Sequence, residues 1–186
     1  MNMFKVELTN KSVYDRTGKK VSCWLSLPAT DEEMEEAMNK IGVKRSNEVF
    51  ISNFKTDLNL GGLRLADIEE ESGVDLNRQI RRFENLSDRN KDVVATIIEG
   101  GDYSLDEALK IVESQKFTFW GNEEFSCPGD LAFSLFNSGL LGKIDTIIPL
   151  EDYIDFDIFG RDLIDNGYLL VGKSGAVWLP MEVEEM

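Results

Sequence analysis

Residues 151–167, EDYIDFDIFGRDLIDNG, decide how the C-terminal part of the chain folds. A helix that begins near Ile154 and turns about 100° per residue divides this stretch into two faces. One face carries three acids, Asp155, Asp162 and Asp165. The opposite face carries three apolar residues, Phe156, Phe159 and Leu163. We therefore predict an amphipathic helix that packs its apolar face on a core and ends at Gly167, where a helix terminus favours positive φ.

The stretch is strongly acidic and contains a single cation, Arg161. Its acids are Glu151, Asp152, Asp155, Asp157, Asp162 and Asp165. Neighbouring carboxylates on one helix face repel each other by only about 0.2–0.5 kcal/mol per pair. Because this cost is small, a solvated helix face explains the acids as well as a surface that binds a partner does.

The composition is that of a folded, acidic protein. The 186 residues are 42% hydrophobic, which is enough to form a core. The formal net charge of −15 argues against direct binding of DNA, RNA or anionic lipid and favours a cationic partner. Residues 1–98 hold 17 acids and 15 bases, whereas residues 99–186 hold 18 acids and 5 bases. A partner that recognises negative charge would therefore bind the C-terminal half.

The residue types give little support for catalysis or metal binding. Histidine, the commonest general base and metal ligand, is absent. Cys23 and Cys127 form no CxxC motif; a disulfide between them stays open, but a reduced cytosol is the default. The N-terminus lacks the pattern of a signal peptide, and no apolar stretch reaches the roughly 20 residues of a membrane span. We predict a cytoplasmic protein without enzyme activity, cofactor, metal or membrane contact.

Periodicity predicts an α+β protein of three small modules. Alternating residues predict a hairpin over 4–9 and 21–27, a helix after Thr30 and a third strand over 48–54. A glycine-containing loop separates this first module, residues 1–61, from a central helical module, residues 62–101. The C-terminal module, residues 102–186, has a helix capped by Ser104, a strand at 116–120, a helix at Pro128, the acidic helix and a terminal hairpin. Trp24, Trp120 and Trp178 all fall on predicted strands, which favours core packing over ligand stacking.

Three motif-like patterns lack the context that their chemistry needs. Residues 167–174 match the phosphate-binding string GxxxxGK[ST], but a strand precedes and follows Gly172, so we predict a hairpin turn there. Two aspartate-rich runs, residues 155–166 and 88–99, resemble calcium-binding loops. The first run has Phe159 at a ligand position, and the second has Val93 in place of the required glycine. Neither pattern therefore predicts calcium binding.

The sequence of residues 151–167 resembles the C-terminal signature of ArdA-type antirestriction proteins. The similar elements are Tyr153-Ile154-Asp155-Phe156, Phe159-Gly160-Arg161-Asp162-Leu163 and Asn166-Gly167. The opening residues 4–28 and the segment 130–142 also resemble that family. Ser52-Asn53-Phe54-Lys55 and Ile164 depart from the family pattern, which has acids at these places.

The resemblance implies an acidic DNA mimic, carried by a mobile element, that inhibits type I restriction–modification enzymes. It implies an elongated homodimer of three-module chains that are joined through the C-terminal module. The six acids named above are then the mimic charges. Tyr153, Phe159, Gly160, Arg161, Leu163 and Gly167 are signature residues of the fold or dimer contact, and Arg161 is expected to pair with a neighbouring carboxylate. The alternative is an acidic adaptor, or an inhibitor of another cationic nuclease, that does not imitate DNA.

Overall fold

A computed structural model describes residues 4–60, 62–69, 71–140 and 153–180. The first sheet follows from the alternation of apolar and polar residues near the N-terminus. Strand β1 (Phe4–Asn10) lies between β2 (Ser22–Leu27) and β3 (Val49–Thr56), and both pairings are antiparallel. Phe4, Val6 and Leu8 are buried on one face, whereas Lys5 and Glu7 lie on the other face of the pleat.

Two helices connect these strands. Helix α1 (Lys11–Thr17) joins β1 to β2, where the sequence predicted only a turn. It contains no buried residue, so it lacks the apolar stripe by which helices are recognised in sequences. Helix α2 (Asp31–Lys40) begins with the predicted capping box, since Thr30 accepts from the Glu33 amide and Glu33 accepts from the Thr30 amide.

The central part of the chain is helical, as predicted. Helix α3 spans Gly73–Glu84, α4 spans Asp88–Gly100, and α5 spans Leu105–Ser114. The predicted caps Ser87 and Ser104 accept the amides of Asn90 and Glu107. A 3₁₀ turn at Leu65–Asp67 precedes α3.

A second antiparallel sheet and two helices complete the structure. Strand β6 (Gly175–Trp178) lies between β4 (Thr118–Gly121) and β5 (Leu169–Gly172), which confirms the terminal hairpin predicted in place of a phosphate loop. Helix α6 (Pro128–Ser138) ends at Gly139, and α7 (Phe156–Asp165) is the acidic helix. The architecture is α+β, with two small three-stranded antiparallel sheets, as predicted.

The buried side chains form two clusters. The larger cluster extends from β1 through α3, α4 and α5 to Val177 in β6. The smaller cluster joins α6 and α7 to the other side of the second sheet, where Trp120 and Trp178 pack partly buried. Trp24 contradicts the core-packing prediction, because 43% of it is exposed. The three-module division of the chain stays a prediction.

Candidate partner-binding surface

The acidic helix α7 is held tightly against α6 by two glycines. A Cβ atom at Gly160 would lie 2.2 Å from the Pro128 carbonyl oxygen, so only glycine allows the helix to approach this closely. A Cβ atom at Gly129 would lie 2.4 Å from Asp157 Oδ1. Leu163 is buried, and Phe156 and Phe159 pack partly buried on the smaller core cluster. The predicted apolar face is therefore the face that docks.

Both ends of α7 are fixed by local hydrogen bonds. Asp155 is the N-cap, and its carboxylate accepts the amides of Asp157 and Ile158 at 3.1 Å. The helix therefore begins two residues later than the predicted start at Ile154. At the other end, Gly167 has a φ of 73°, as predicted, and the Tyr168 amide donates to the Leu163 carbonyl at 2.9 Å. These contacts hold the acids on a defined scaffold.

The predicted acids that the structure describes are all exposed. Asp162 and Asp165 lie on the side of α7 that faces away from the core, and Asp155 and Asp157 lie at its first turn. None of these four carboxylates forms an ion pair with a residue in the described part of the chain. Glu151 and Asp152 fall outside the described residues. The four described acids are therefore open to the cations of a partner.

The predicted pairing of Arg161 with a neighbouring carboxylate stays a prediction. Arg161 is exposed and forms no ion pair within the described ranges, and two of its neighbouring acids, Glu151 and Asp152, lie outside them. The Arg161 side chain points away from the face of α7 that docks on α6. Arg161 directly follows buried Gly160 and lies about one helical turn after Ile158. Ile158 is itself 56% exposed and lies among the acids.

Aromatic side chains on α6 and at the start of α7 form a second exposed feature, the aromatic patch of Phe133, Phe136 and Phe156. The Phe156 ring packs edge-on against Phe133 at 5.1 Å and against Phe136 at 5.6 Å. Phe133 remains 46% exposed. Tyr153, three residues before Phe156, is 75% exposed. This amount of exposed aromatic surface is available for contact with another protein.

A further acid at this site, Asp130, was not among the residues predicted from the sequence. Its carboxylate accepts the amides of Ser126 at 2.7 Å and Cys127 at 3.2 Å. These hydrogen bonds lower the pKa of Asp130, so it stays ionised. Cys127 Sγ lies 3.4 Å from Asp157 Oδ1, which places the first turns of α6 and α7 side by side. The sequence does indicate Asp130 as an acid of a first helical turn, because it lies three residues after Cys127 in a helix that begins with proline.

The chain matches the antirestriction protein family ArdA over residues 8–177. This range includes most of both sheets, all the helices that position α7, and every described acid of the site. The chain belongs to the ArdA family. A search of curated proteins found no significant match.

Most cations of the central region in this ArdA member are neutralised. Arg82 donates to Asp106 at 2.7 Å and to Glu113 at 2.9 Å. Lys110 and Arg82 lower the pKa of Asp106, and Arg82 lowers the pKa of Glu113. Arg78 pairs with Asp75 within α3. Arg82 therefore ties α3 to α5, and both arginines are neutralised by acids of the same chain.

The terminal hairpin is tied to α4 by a carboxylate. Glu99 accepts the Lys173 amide at 2.7 Å and pairs with its ammonium at 3.3 Å, which lowers the pKa of Glu99. Both thiols are unbridged. In the described ranges, no group of three or more acids and cysteines is arranged to hold a metal ion. Among the same residues, none of the helices combines the length and apolar character of a membrane span.

Proposed function

We propose that this ArdA-family protein inhibits type I restriction–modification enzymes by imitating DNA and occupying their DNA-binding groove. The observation that carries the proposal is the row of exposed acids on α7 that have no ion-pair partner among the described residues. The proposed mimic charges are Asp155, Asp157, Asp162 and Asp165, together with Glu151 and Asp152. In this proposal the protein acts in the cytoplasm as an inhibitor and not as an enzyme.

The charge spacing of α7 is somewhat looser than that of one strand of a nucleic acid. Ten residues separate Asp155 from Asp165, which corresponds to an axial distance of about 15 Å at 1.5 Å per residue. The four acids over this distance therefore lie on average about 5 Å apart along the axis. One DNA strand carries a charge about every 3.4 Å, and the duplex carries one about every 1.7 Å. The helix alone supplies about two-thirds of the charge density of one strand, and the duplex density needs further acids, such as Asp130 or those of a second copy.

Rigidity makes the imitation effective. Much of the affinity of a protein for DNA comes from counterions that are released when cationic side chains meet phosphates. Carboxylates at a similar spacing release counterions from the same groove. Because α7 is capped at both ends and docked through Gly160, its acids need little ordering when they bind.

We further propose that the protein is a homodimer joined through the aromatic patch. Phe133 and Tyr153 are exposed beside α7, so a symmetric contact there would bring two acidic helices into one continuous surface. Arg161 is exposed and unpaired among the described residues, which makes it available to an acid of the second copy. Phe159, Gly160, Leu163 and Gly167 then serve the fold of each chain.

The experiment is competition for a type I methyltransferase bound to labelled DNA. The variant Asp155→Asn, Asp162→Asn, Asp165→Asn removes three charges, and asparagine at position 155 still caps the helix. We expect it to displace DNA at least tenfold less well than the unmodified protein. The control is Glu32→Gln, Glu35→Gln, Glu36→Gln, which removes three exposed charges from α2. Equal displacement by the α7 variant and the unmodified protein would exclude α7 as the mimic surface.

Salt distinguishes this function from the second candidate, an acidic adaptor that binds through apolar contacts. Displacement by a mimic falls steeply as salt rises, because each charge contact contributes to the salt dependence. An adaptor would bind almost equally at low and high salt. The exposed aromatic patch favours the adaptor only if the methyltransferase is retained at high salt.

A further inference from the structure

The outer face of the first sheet carries an exposed tryptophan. Trp24 lies opposite Glu7 of β1, so it shares a face with Lys5 and Glu7 and not with buried Val6 and Leu8. Helices α2 and α3 pack on the other face, where Leu8 and Met34 lie against Gly73. Trp24 is 43% exposed, and the Lys55 ammonium lies 5.0 Å from the centre of its ring.

Positive charge surrounds this ring. Lys5 of β1 and Lys55 of β3 stand directly opposite each other, a like-charge pair that destabilises a sheet slightly. Neither forms an ion pair with any described residue. The acid of this face, Glu7, is cancelled by Lys20 at 2.6 Å, and the bonds from Lys20, Ser22 and Ser52 lower its pKa so that it stays ionised.

More cations lie around the rim. Lys11, Arg16 and Lys19 are exposed on α1 and the turn that follows it, beside one exposed acid, Asp15, and none of the four has an ion-pair partner among the residues described. Five acids of the first module lie instead on α2, which packs on the opposite face. The module is thus nearly neutral in total but positive on the outer face of its sheet, which we call the lysine–tryptophan face: Lys5, Lys20, Trp24 and Lys55.

We propose that the lysine–tryptophan face binds single-stranded nucleic acid, with the ammonium groups of Lys5 and Lys55 on phosphates and a base stacked on Trp24. Cations next to an exposed aromatic ring are the combination that single-strand-binding sheets use. The Lys55 ammonium leaves the Trp24 ring as the base arrives and moves to the adjacent phosphate. A duplex fits less well, because its bases are already stacked and the sheet offers no element that would enter a groove.

The net charge of −15 does not prevent this binding. At about 0.15 M salt, charges more than about 8 Å away are largely screened, so the local field at the sheet decides the affinity. The prediction from total charge, that the chain does not bind nucleic acid directly, concerned the average surface. The binding proposed here is independent of the DNA mimicry proposed for α7, since it uses the opposite sign of charge on a different module.

The test is fluorescence anisotropy of a labelled twelve-nucleotide oligo(dT) titrated with the full chain at about 0.15 M salt, where distant charges are largely screened. We expect saturable binding with quenching of tryptophan fluorescence. With the two phosphate contacts of Lys5 and Lys55, a fourfold rise in salt should weaken binding about sevenfold. Trp24→Ala should weaken it about tenfold. The variant proteins are compared by thermal unfolding, so that a loss of fold is separated from a loss of contact.

The matched pair of variants is Lys55→Glu and Lys40→Glu. Both change the net charge by the same amount in the same module, but Lys40 lies on α2, behind the sheet. We expect at least tenfold weaker binding for Lys55→Glu and a change below twofold for Lys40→Glu. Absence of binding by the unmodified chain, equal weakening by both variants, or equal affinity for a duplex of the same length would each overturn the proposal. Self-association at low salt that Lys55→Glu abolishes, with no oligonucleotide binding, would assign the face to an acidic surface of a second copy and overturn it too.

Discussion

At the scale of single residues, Gly160 has the strictest requirement of the site. A side chain at this position would overlap the Pro128 backbone, which cannot move aside as a flexible side chain could. Overpacking of this kind costs roughly 1–3 kcal/mol. We therefore predict that Gly160→Ala lowers the free energy of unfolding by about 2 kcal/mol, measured by denaturant unfolding followed by circular dichroism.

The control for this prediction is another helical glycine. A Cβ atom at Gly73 would meet Leu8 Cδ2 at 3.5 Å, an ordinary contact distance. Gly73→Ala should therefore leave stability unchanged or raise it slightly, because alanine favours the helix. If both variants unfold at the same denaturant concentration as the unmodified protein, α6 and α7 do not need the close approach at Gly160.

At the scale of elements, the Arg82 network joins α3 to α5. Asp106 and Glu113 have lowered pKa values in the folded chain, below the ordinary values of 3.8 and 4.5. The unfolded chain therefore takes up their protons at higher pH than the folded chain does. Their stabilising effect is complete above about pH 4.5 and is lost as pH falls through the folded pKa values.

We predict that Arg82→Met removes about 1 kcal/mol of stability at pH 7 and flattens the loss of stability in acid. The measurement is urea unfolding at several pH values between 3 and 7. Arg78→Met is the matched control, since its partner Asp75 lies on the same helix and the pair is more exposed. A parallel acid-dependence in the unmodified protein and in Arg82→Met would show that the network does not link stability to pH.

The elements differ in how far their sequence determined them. The caps at Thr30, Ser87 and Ser104 were predictable, because each depends on residues within one turn. Helix α1 was not predictable although its cap, Asn10, is equally local, because none of its residues is buried and no apolar stripe marks it. The Arg82 network joins residues that are 24 and 31 positions apart, and no local pattern reports such pairs.

The exposure of Trp24 was predictable from the alternation of residues in β2. Strand placement alone predicted core packing, but Ser22, Trp24 and Ser26 alternate with Cys23, Leu25 and Leu27. The apolar set, not the tryptophan, faces the core. In α7, by contrast, the angular sorting of acids and apolar residues was sufficient, and only the helix start was misplaced, because Asp155 serves as a cap.

At the scale of the whole molecule, the proposed dimer determines how long the acidic surface is. One α7 extends over about 15 Å at 1.5 Å per residue, whereas a symmetric contact at the aromatic patch would place two such helices on one particle. Phe133 is the exposed member of the patch, at 46%, and its ring contacts only the edge of Phe156 among the described aromatic rings. Serine at this position removes apolar contact area without adding charge.

We predict that Phe133→Ser changes the mass measured by analytical ultracentrifugation from twice the 21.1 kDa of one chain to that of a single chain. Its control is Tyr14→Ser on α1, an aromatic residue with the same exposed fraction and one ring contact, to Phe50 at 5.5 Å. Because a monomer presents one acidic helix instead of two, Phe133→Ser should also displace DNA from the methyltransferase less well, while Tyr14→Ser should not. A Phe133→Ser protein that remains dimeric and folded would place the contact elsewhere on the chain. A monomer that displaces DNA as well as the dimer would show that the acids of one chain are sufficient for the mimicry.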